Sequence, residues 1–451
     1  MESIILKRKI GIVSLGCPKN LVDSEIMLGL LKSCDYEITN DEAAAEIIIV
    51  NTCGFIESAK QESVNAILEM AGHKADKCQL LIVTGCMAER YKEKIIEEIP
   101  EVDAVVGTGS YSDIARIIEE VCAEGKKVVC GGLHGTDYLE NSRVVSTNKG
   151  YAYIKIAEGC DNCCTYCIIP SLRGAYRSRR LEDIIREAET LAAEGIQEVI
   201  LVAQDTTRYG TDIYGRKRLS ELMRSLSGIG GIKWIRLLYC YPEEIDEELM
   251  DEIATNKKVC KYMDIPIQHA SDKILRLMGR RGTREELGRV ISGIRERIPG
   301  VVIRTSLIAG FPGETEEDFS ELFEFVREYR FDRLGVFTYS KEEDTPAAGF
   351  EQQVPKRIKQ RRYDKIMELQ KGITLAHNAA RVGSVYHAIV EGVADDGIFY
   401  FGRTCGEAPE IDGTVYFTSP EPLDAGQFVK IKILDASHYD LIGEVVNESA
   451  Q

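Results

Sequence analysis

The sequence predicts an α/β fold in three segments: an N-terminal parallel-sheet βα domain over residues 1–135, a central partial (β/α)6 TIM-like barrel over 151–370, and a C-terminal five-stranded antiparallel β-barrel, OB-like, over 371–451. Three observations predict it. β-Branched runs alternate with amphipathic helical stretches from residue 9 to about 135, and again from Tyr151 to Tyr339. Polar, glycine-containing sequence at 136–150 separates these regions and has the texture of a linker. Beyond residue 380, short strands spaced by Gly, Pro and Asp turns replace the alternation.

In the first region the strands are expected at Ile10–Ser14, Ile47–Asn51, Leu80–Thr84 and Ala104–Gly107, followed by helices near Val22–Leu31, Ile56–Met70, Ala88–Glu98 and Ile114–Val121. Three of these strands run directly toward a cysteine: Cys17, Cys53 and Cys86. An open parallel sheet binds its ligands outside the carboxyl ends of its strands, so one sheet edge should collect three thiols that lie 36 and 33 residues apart in the chain. The helix after each cysteine adds partial positive charge that favours a thiolate.

In the second region the strands are expected at Tyr151–Ala157, Glu198–Ala203, Trp234–Tyr239, Tyr262–Ile267, Val301–Ile308 and Leu334–Tyr339, with helices such as Leu181–Glu194 and Arg284–Ile298 between them. Six βα units without a doubly wound break predict a partial barrel whose chemistry sits at the strands' carboxyl ends. The first strand leads into Cys160-x3-Cys164-x2-Cys167. Three cysteines on one loop leave one iron of a four-iron cube open to an external ligand. Tyr166 stands where it could contact an adenine ring. The additional Cys163 permits a competing reading as paired zinc-knuckle halves.

Other polar residues fall at the same ends: Gln204 with Asp205, Gln268 with His269, and Gly310, Gly313 and Glu314. The glycines would let backbone approach a bound cofactor while Glu314 accepts a hydrogen bond; the alternative is a turn and helix start, with Thr315 as N-cap and Asp318 three residues on. Arg173, Arg177 and Arg179 either bind a carboxylate or are ordinary exposed arginines. A basic helical segment, Val354 to about Ala380, then leads to strands at Val385–Glu391, Ile398–Gly402, Thr414–Phe417, Phe428–Ile433 and Leu441–Val446.

A chain of 451 residues suggests about three domains, at roughly 150 residues each. Ile4–Leu6 is too short for a secretory apolar region, and no stretch approaches the ~18 apolar residues of a membrane span, so a cytoplasmic protein is expected. In that compartment fourteen cysteines are not a disulfide framework. The clustered ones point to metal ligation, and the others, including Cys34, Cys78, Cys122 and Cys130, are expected to be buried or inert thiols.

These residues resemble the methylthiotransferases of the radical S-adenosylmethionine superfamily over essentially the whole chain. The likeness is carried by Ser14–Glu25 (SLGCPKNLVDSE), Asn51–Gly54 (NTCG), Thr84–Met87 (TGCM), Ala157–Arg179 and Gly310–Phe319 (GFPGETEEDF). The resemblance implies two [4Fe-4S] clusters, an auxiliary one on Cys17, Cys53 and Cys86 and one on Cys160, Cys164 and Cys167 that binds S-adenosylmethionine. It implies reductive cleavage of that sulfonium to a 5′-deoxyadenosyl radical, hydrogen abstraction from an unactivated carbon, sulfur insertion and methyl transfer, fed by an electron donor. The two sets of thiols should then face each other.

Relatives of this kind modify either an adenosine in transfer RNA or an aspartate in a ribosomal protein. Between Arg381 and Val445 the chain holds 11 Asp or Glu against four Lys or Arg, a net charge of −7. A module gripping RNA should be basic, whereas an acidic one suits a basic ribosomal protein. Pro18–Glu25 (PKNLVDSE), Ile156–Asp161 (IAEGCD) and Ala408–Gly413 (APEIDG) also resemble the protein-modifying subgroup. That likeness implies methylthiolation of the β-carbon of an aspartate in the twelfth protein of the small ribosomal subunit, with transfer RNA the alternative substrate.

Overall fold

Apolar runs at Ile47–Val50 and Leu80–Val83 form the bodies of the two fully buried central strands, Ile47–Thr52 and Leu80–Gly85, of a six-stranded parallel sheet, as expected when both faces of a sheet are covered. The structure is a computed structural model that describes residues 7–133, 135–147 and 150–446. The expected apolar start at Ile4–Leu6, and Asn148 and Lys149 of the expected linker, lie outside the described residues.

The strand order is Glu37–Ile38, Lys9–Ser14, Ile47–Thr52, Leu80–Gly85, Ala104–Val106, Lys127–Val129, with every pair parallel. Order reverses once, beside Lys9–Ser14, and such a switch point opens a ligand crevice at the strands' carboxyl ends. Apolar side chains cover both faces, Ile10, Ile49 and Ile117 on one side and Val50, Val83 and Val105 on the other. The edge strands Glu37–Ile38 and Lys127–Val129 were not expected; they are two and three residues long and partly exposed, too short to show a period. The single helix expected at Ala88–Glu98 is two, Cys86–Tyr91 and Glu93–Glu98. Lys92 between them adopts φ 47°, in the left-handed region, which an α-helix cannot pass through.

This sheet belongs to a first compact unit that comprises the described residues up to Ser146 together with Ala157–Arg179 and Ser340–Ala348. The loop with Cys160, Cys164 and Cys167 is therefore part of the same unit as Cys17, Cys53 and Cys86. Residues 136–147 pack here too: Arg143 pairs with Glu25 at 3.1 Å, and the Ser146 amide donates to the same carboxylate at 2.7 Å.

The second unit comprises Thr147–Ile156, Arg180–Tyr339 and the described residues from Gly349 onward. Its parallel sheet takes Tyr151–Lys155, Glu198–Val202, Trp234–Leu237, Val259–Asp264, Val302–Ala309 and Arg333–Thr338 in chain order, the partial (β/α)6 barrel. The helix Lys356–Ala379 leads into a closed five-stranded barrel ordered Val385–Val393, Tyr400–Thr404, Val415–Thr418, Leu441–Val445, Phe428–Ala436. Its strand pairs are antiparallel except Val415–Thr418 with Leu441–Val445, which run parallel. Val390, Phe417 and Ile431 fill its interior. Within this unit Trp234 meets Phe428 edge-on at 4.7 Å, and buried Glu198 accepts from Arg236 at 2.7 Å and Arg403 at 2.8 Å. No helix among the described residues is long and apolar enough to cross a membrane.

Two of the thiols expected to be buried are not. Cys34 and Cys122 are exposed, Cys34 as the C-cap after the helix Pro18–Ser33 and Cys122 in the last turn of Ile114–Glu124, where the chain leaves the core. Cys78, Cys240 and Cys260 are buried.

Candidate iron–sulfur and cofactor sites

Register explains how Cys17, Cys53 and Cys86 meet. Ser14 pairs with Asn51, and Thr52 with Gly85, so the three strands that precede the cysteines end side by side. Two glycines let the loops close. A Cβ on Gly16, which sits at φ 91°, would lie 2.8 Å from the Cβ of Cys53. One on Gly54 would lie 2.9 Å from the Met87 amide nitrogen and 3.0 Å from the Cys86 carbonyl carbon. Asn20 ties two of the loops together, its Nδ2 donating to the carbonyls of Leu15 at 3.1 Å and Thr52 at 2.9 Å. Ser63 holds Cys53 by bonding both its amide and its carbonyl at 3.0 Å. The glycines and Asn20 lie within the quoted motifs, yet their contacts span loops that no local pattern connects.

The late cysteines sit on a loop shut by a two-stranded ribbon, Ala157–Glu158 against Arg177–Ser178. Gly159, at φ 78°, passes so near that a Cβ would lie 2.1 Å from the Ala175 carbonyl oxygen. The Cys160 amide donates to Gly174 at 3.1 Å, Cys167 to the Cys164 carbonyl at 3.0 Å, and Tyr176 to Asp161 Oδ1 at 3.0 Å. Cys160 and Cys164 are buried, Cys167 and Tyr166 half-buried, and Cys163 exposed, with its thiol 3.6 Å from the Asp161 carbonyl.

The helix after this loop, Ile169–Arg173, reaches the early thiols. Ile168 and Leu172 pack against Cys86 and Phe55. Arg173, 2% exposed, places Nε and Nη2 each 3.4 Å from Cys86 Sγ, and Nη1 2.7 Å from Asp23 and 3.3 Å from Glu158. Neither Arg173 nor Arg179 is an exposed arginine. Arg179 grips both carboxylate oxygens of Glu140, at 2.7 and 2.8 Å, while Arg177 bonds the carbonyls of Ala175 and Arg173.

The donor sets fit iron–sulfur clusters. Burial, with Cys86 and Cys17 nearby, pushes the Cys53 thiol up to about 12. Burial, with Cys164 and Cys160 adding, does the same to Cys167, up to about 12, and burial likewise raises Cys86. Cys53, Cys86 and Cys167 therefore stay thiols unless a cationic centre offsets the cost of ionising them. Among the described residues no three His, Cys, Asp or Glu side chains close to single-ion geometry.

The remaining expected residues lie in the second unit, at the carboxyl ends of the barrel strands. Gln268 adopts φ 69°; its amide donates to Ser306 at 2.9 Å and its carbonyl accepts from Ile308 at 2.8 Å, so the neighbouring strand fixes its backbone. Tyr239, two residues past the strand Trp234–Leu237, is also left-handed at φ 62°. Gln204 is half-buried at the end of Glu198–Val202. Glu314 accepts from the amides of Gly310 at 2.6 Å and Phe311 at 2.9 Å and from Arg362 at 2.9 Å, so its carboxylate shapes its own turn. A Cβ on Gly310, at φ 77°, would strike Lys359; Gly313, at φ 84°, is roomier. Thr315 and Asp318 form a full capping box. His269, buried, accepts the Ser271 amide at Nδ1, so its neutral ring carries hydrogen on Nε2, 3.7 Å from Glu314.

Comparison with known proteins identifies the family. Family profiles described as Uncharacterized protein family UPF0004, Radical SAM superfamily and TRAM domain match residues 9–107, 154–326 and 382–446. A ribosomal protein uS12 methylthiotransferase, RimO, of Acetivibrio thermocellus is 61% identical over 453 residues, covering 99% of this chain and 100% of that protein. Its counterpart in Clostridium tetani is 51% identical over 445 residues, with 99% and 100% covered. Among solved structures, the radical S-adenosylmethionine methyltransferase TsrM of Kitasatospora setae, with tryptophan substrate and a SAM analog bound, aligns with a TM-score of 0.55 at 15% identity over 73% of each chain, a likeness of fold alone. Sharing half or more of its residues with those full-length relatives, the chain belongs to the ribosomal protein uS12 methylthiotransferase family of radical S-adenosylmethionine enzymes.

Proposed function

We propose that the chain attaches a methylthio group to the β-carbon of an aspartate in ribosomal protein uS12, with two [4Fe-4S] clusters and S-adenosylmethionine as cofactors. When bound, these cofactors supply one-electron sulfonium cleavage, hydrogen-atom abstraction, sulfur and a methyl group. In this reading Cys17, Cys53 and Cys86 hold one cluster and Cys160, Cys164 and Cys167 the other. Tyr166, on the late cysteine loop, is an adenine-binding residue, and Gly310, Gly313, Gln204 and Gln268 are cofactor-binding residues of the barrel. Glu314 contributes by holding the 310–311 amides in place. Along the chain, cluster domain, linker, radical barrel and TRAM-like barrel take 1–135, 136–150, 151–370 and 371–451, although 136–146, 157–179 and 340–348 belong to the same compact unit as the cluster domain. The observation that carries the reading is the packing of Ile168, Leu172 and Arg173, just beyond Cys167, onto Cys86.

The acidic C-terminal module, at −7, recognises basic uS12 by charge, transfer RNA being disfavoured by the same sign. The reaction takes place in the cytoplasm with an electron donor. The test is anaerobic incubation of reconstituted enzyme, reductant and S-adenosylmethionine with either uS12 or transfer RNA, followed by mass analysis. A methylthio adduct on a uS12 aspartate is expected; an adduct on adenosine and none on uS12 overturns the assignment.

A further inference from the structure

Arg173 is the last residue of the short helix that leaves the late cysteine loop, and its guanidinium is spread over four partners. Nε and Nη2 both point at Cys86 Sγ from 3.4 Å. Nη2 also donates to Asn20 Oδ1 at 2.5 Å, and Nη1 to Asp23 at 2.7 Å and Glu158 at 3.3 Å. Asn20 and Asp23 sit on the helix that Cys17 caps; Glu158 lies in the strand that enters the Cys160 loop. Tyr138 braces the two carboxylates, its hydroxyl 2.8 Å from Glu158 and 3.2 Å from Asp23. Ile168, Leu172 and Phe55 pack around Cys86 itself.

We propose that Arg173 is a positioning residue for the N-terminal cluster: it donates two N–H···S hydrogen bonds to the Cys86 ligand and thereby raises that cluster's reduction potential relative to the other. Hydrogen bonds to a ligand sulfur withdraw electron density from it and favour the reduced, more negative state, and low local polarity enlarges the effect. Asp23 and Glu158 hold the guanidinium plane, so the fork meets the sulfur with two donors at once. Lysine keeps the charge but is a single point donor on a flexible stem, and cannot bond Asp23 while sending two donors to Cys86. The inference rests on Cys86 being a cluster ligand.

The test is an EPR-monitored redox titration of full-length, reconstituted wild type and Arg173→Lys. Each triplet leaves one iron open, so the two centres are told apart with Cys164→Ala: the signal it abolishes is the S-adenosylmethionine-sensitive one of the Cys160 loop, and the signal it leaves is the insensitive one of the N-terminal cluster. At the wild-type midpoint of the insensitive signal, Arg173→Lys should lower the reduced-to-oxidised ratio about tenfold, equivalent to about 59 mV for a one-electron couple, with the sensitive signal unmoved. Full iron content with an unmoved insensitive midpoint overturns the inference and leaves the two-cluster reading intact. A wild type with a single signal overturns both. Should Arg173→Lys fail to hold iron, wild type grown with guanidino-15N-arginine decides: 15N coupling on the insensitive signal supports the inference, and its absence overturns it.

Discussion

Glu407 is a buried carboxylate of the second unit whose loss should be costly. It is 1% exposed, and its carboxylate takes Arg333 at 3.1 Å, Arg381, and the amide and hydroxyl of Thr404 at 3.0 and 2.5 Å. Burial alone would raise its pKa, but Arg381 and Arg333 outweigh that and hold it at about 2, against an ordinary 4.5. The folded-state value is the depressed one, so the stabilisation is fully present above pH 4.5 and disappears as the pH falls from there toward 2. A drop from 4.5 to about 2 corresponds to about 3 kcal/mol at neutral pH. Breaking a buried ion pair by removing one partner costs about 3–5 kcal/mol, which agrees.

Glu407→Gln keeps the shape and removes the charge, leaving Arg333 and Arg381 without this carboxylate. Trp234, the only tryptophan, lies in the same unit and packs on Phe428, so its fluorescence reports the relevant unfolding. With a urea slope of about 3 kcal/mol/M, the midpoint of the Trp234 transition should fall by about 1 M at pH 7. A fall below about 0.3 M with an unchanged slope would refute the reasoning, because it would mean that the arginines reach water or other partners at no cost.

Two further perturbations separate the clusters. Gly16→Ala adds a Cβ 2.8 Å from that of Cys53 on a backbone at φ 91°, so iron should drop from about eight toward about four atoms per chain while cleavage of S-adenosylmethionine to 5′-deoxyadenosine persists; full iron would show that the loop tolerates the change. Cys163→Ala should retain both iron and activity, since that thiol is exposed and lies 3.6 Å from the Asp161 carbonyl; loss of the S-adenosylmethionine-sensitive EPR signal would shift the ligand register.

Much of this architecture is written in local pattern. Strands buried on both faces carry runs of consecutive apolar residues, so Ile47–Thr52 and Leu80–Gly85 are legible from Ile47–Val50 and Leu80–Val83, as is the Thr315–Asp318 capping box from its own residues. Cysteines at strand ends follow from the same reading, because a parallel sheet brings successive strand ends to one edge. The edge strands Glu37–Ile38 and Lys127–Val129 and the break at Lys92 escaped it, being too short, or too dependent on one dihedral angle, to leave a period. Tertiary closure alone decided that Gly16 and Gly54 admit the neighbouring cysteine loops, that 157–179 joins the first unit, and that Arg173 reaches Cys86 across 87 residues of chain. The physical reason is one of range: strand and helix periods are set between adjacent residues, whereas a hydrogen bond to a distant thiol exists only after the sheet, the ribbon and the loops have fixed both ends within a few ångströms.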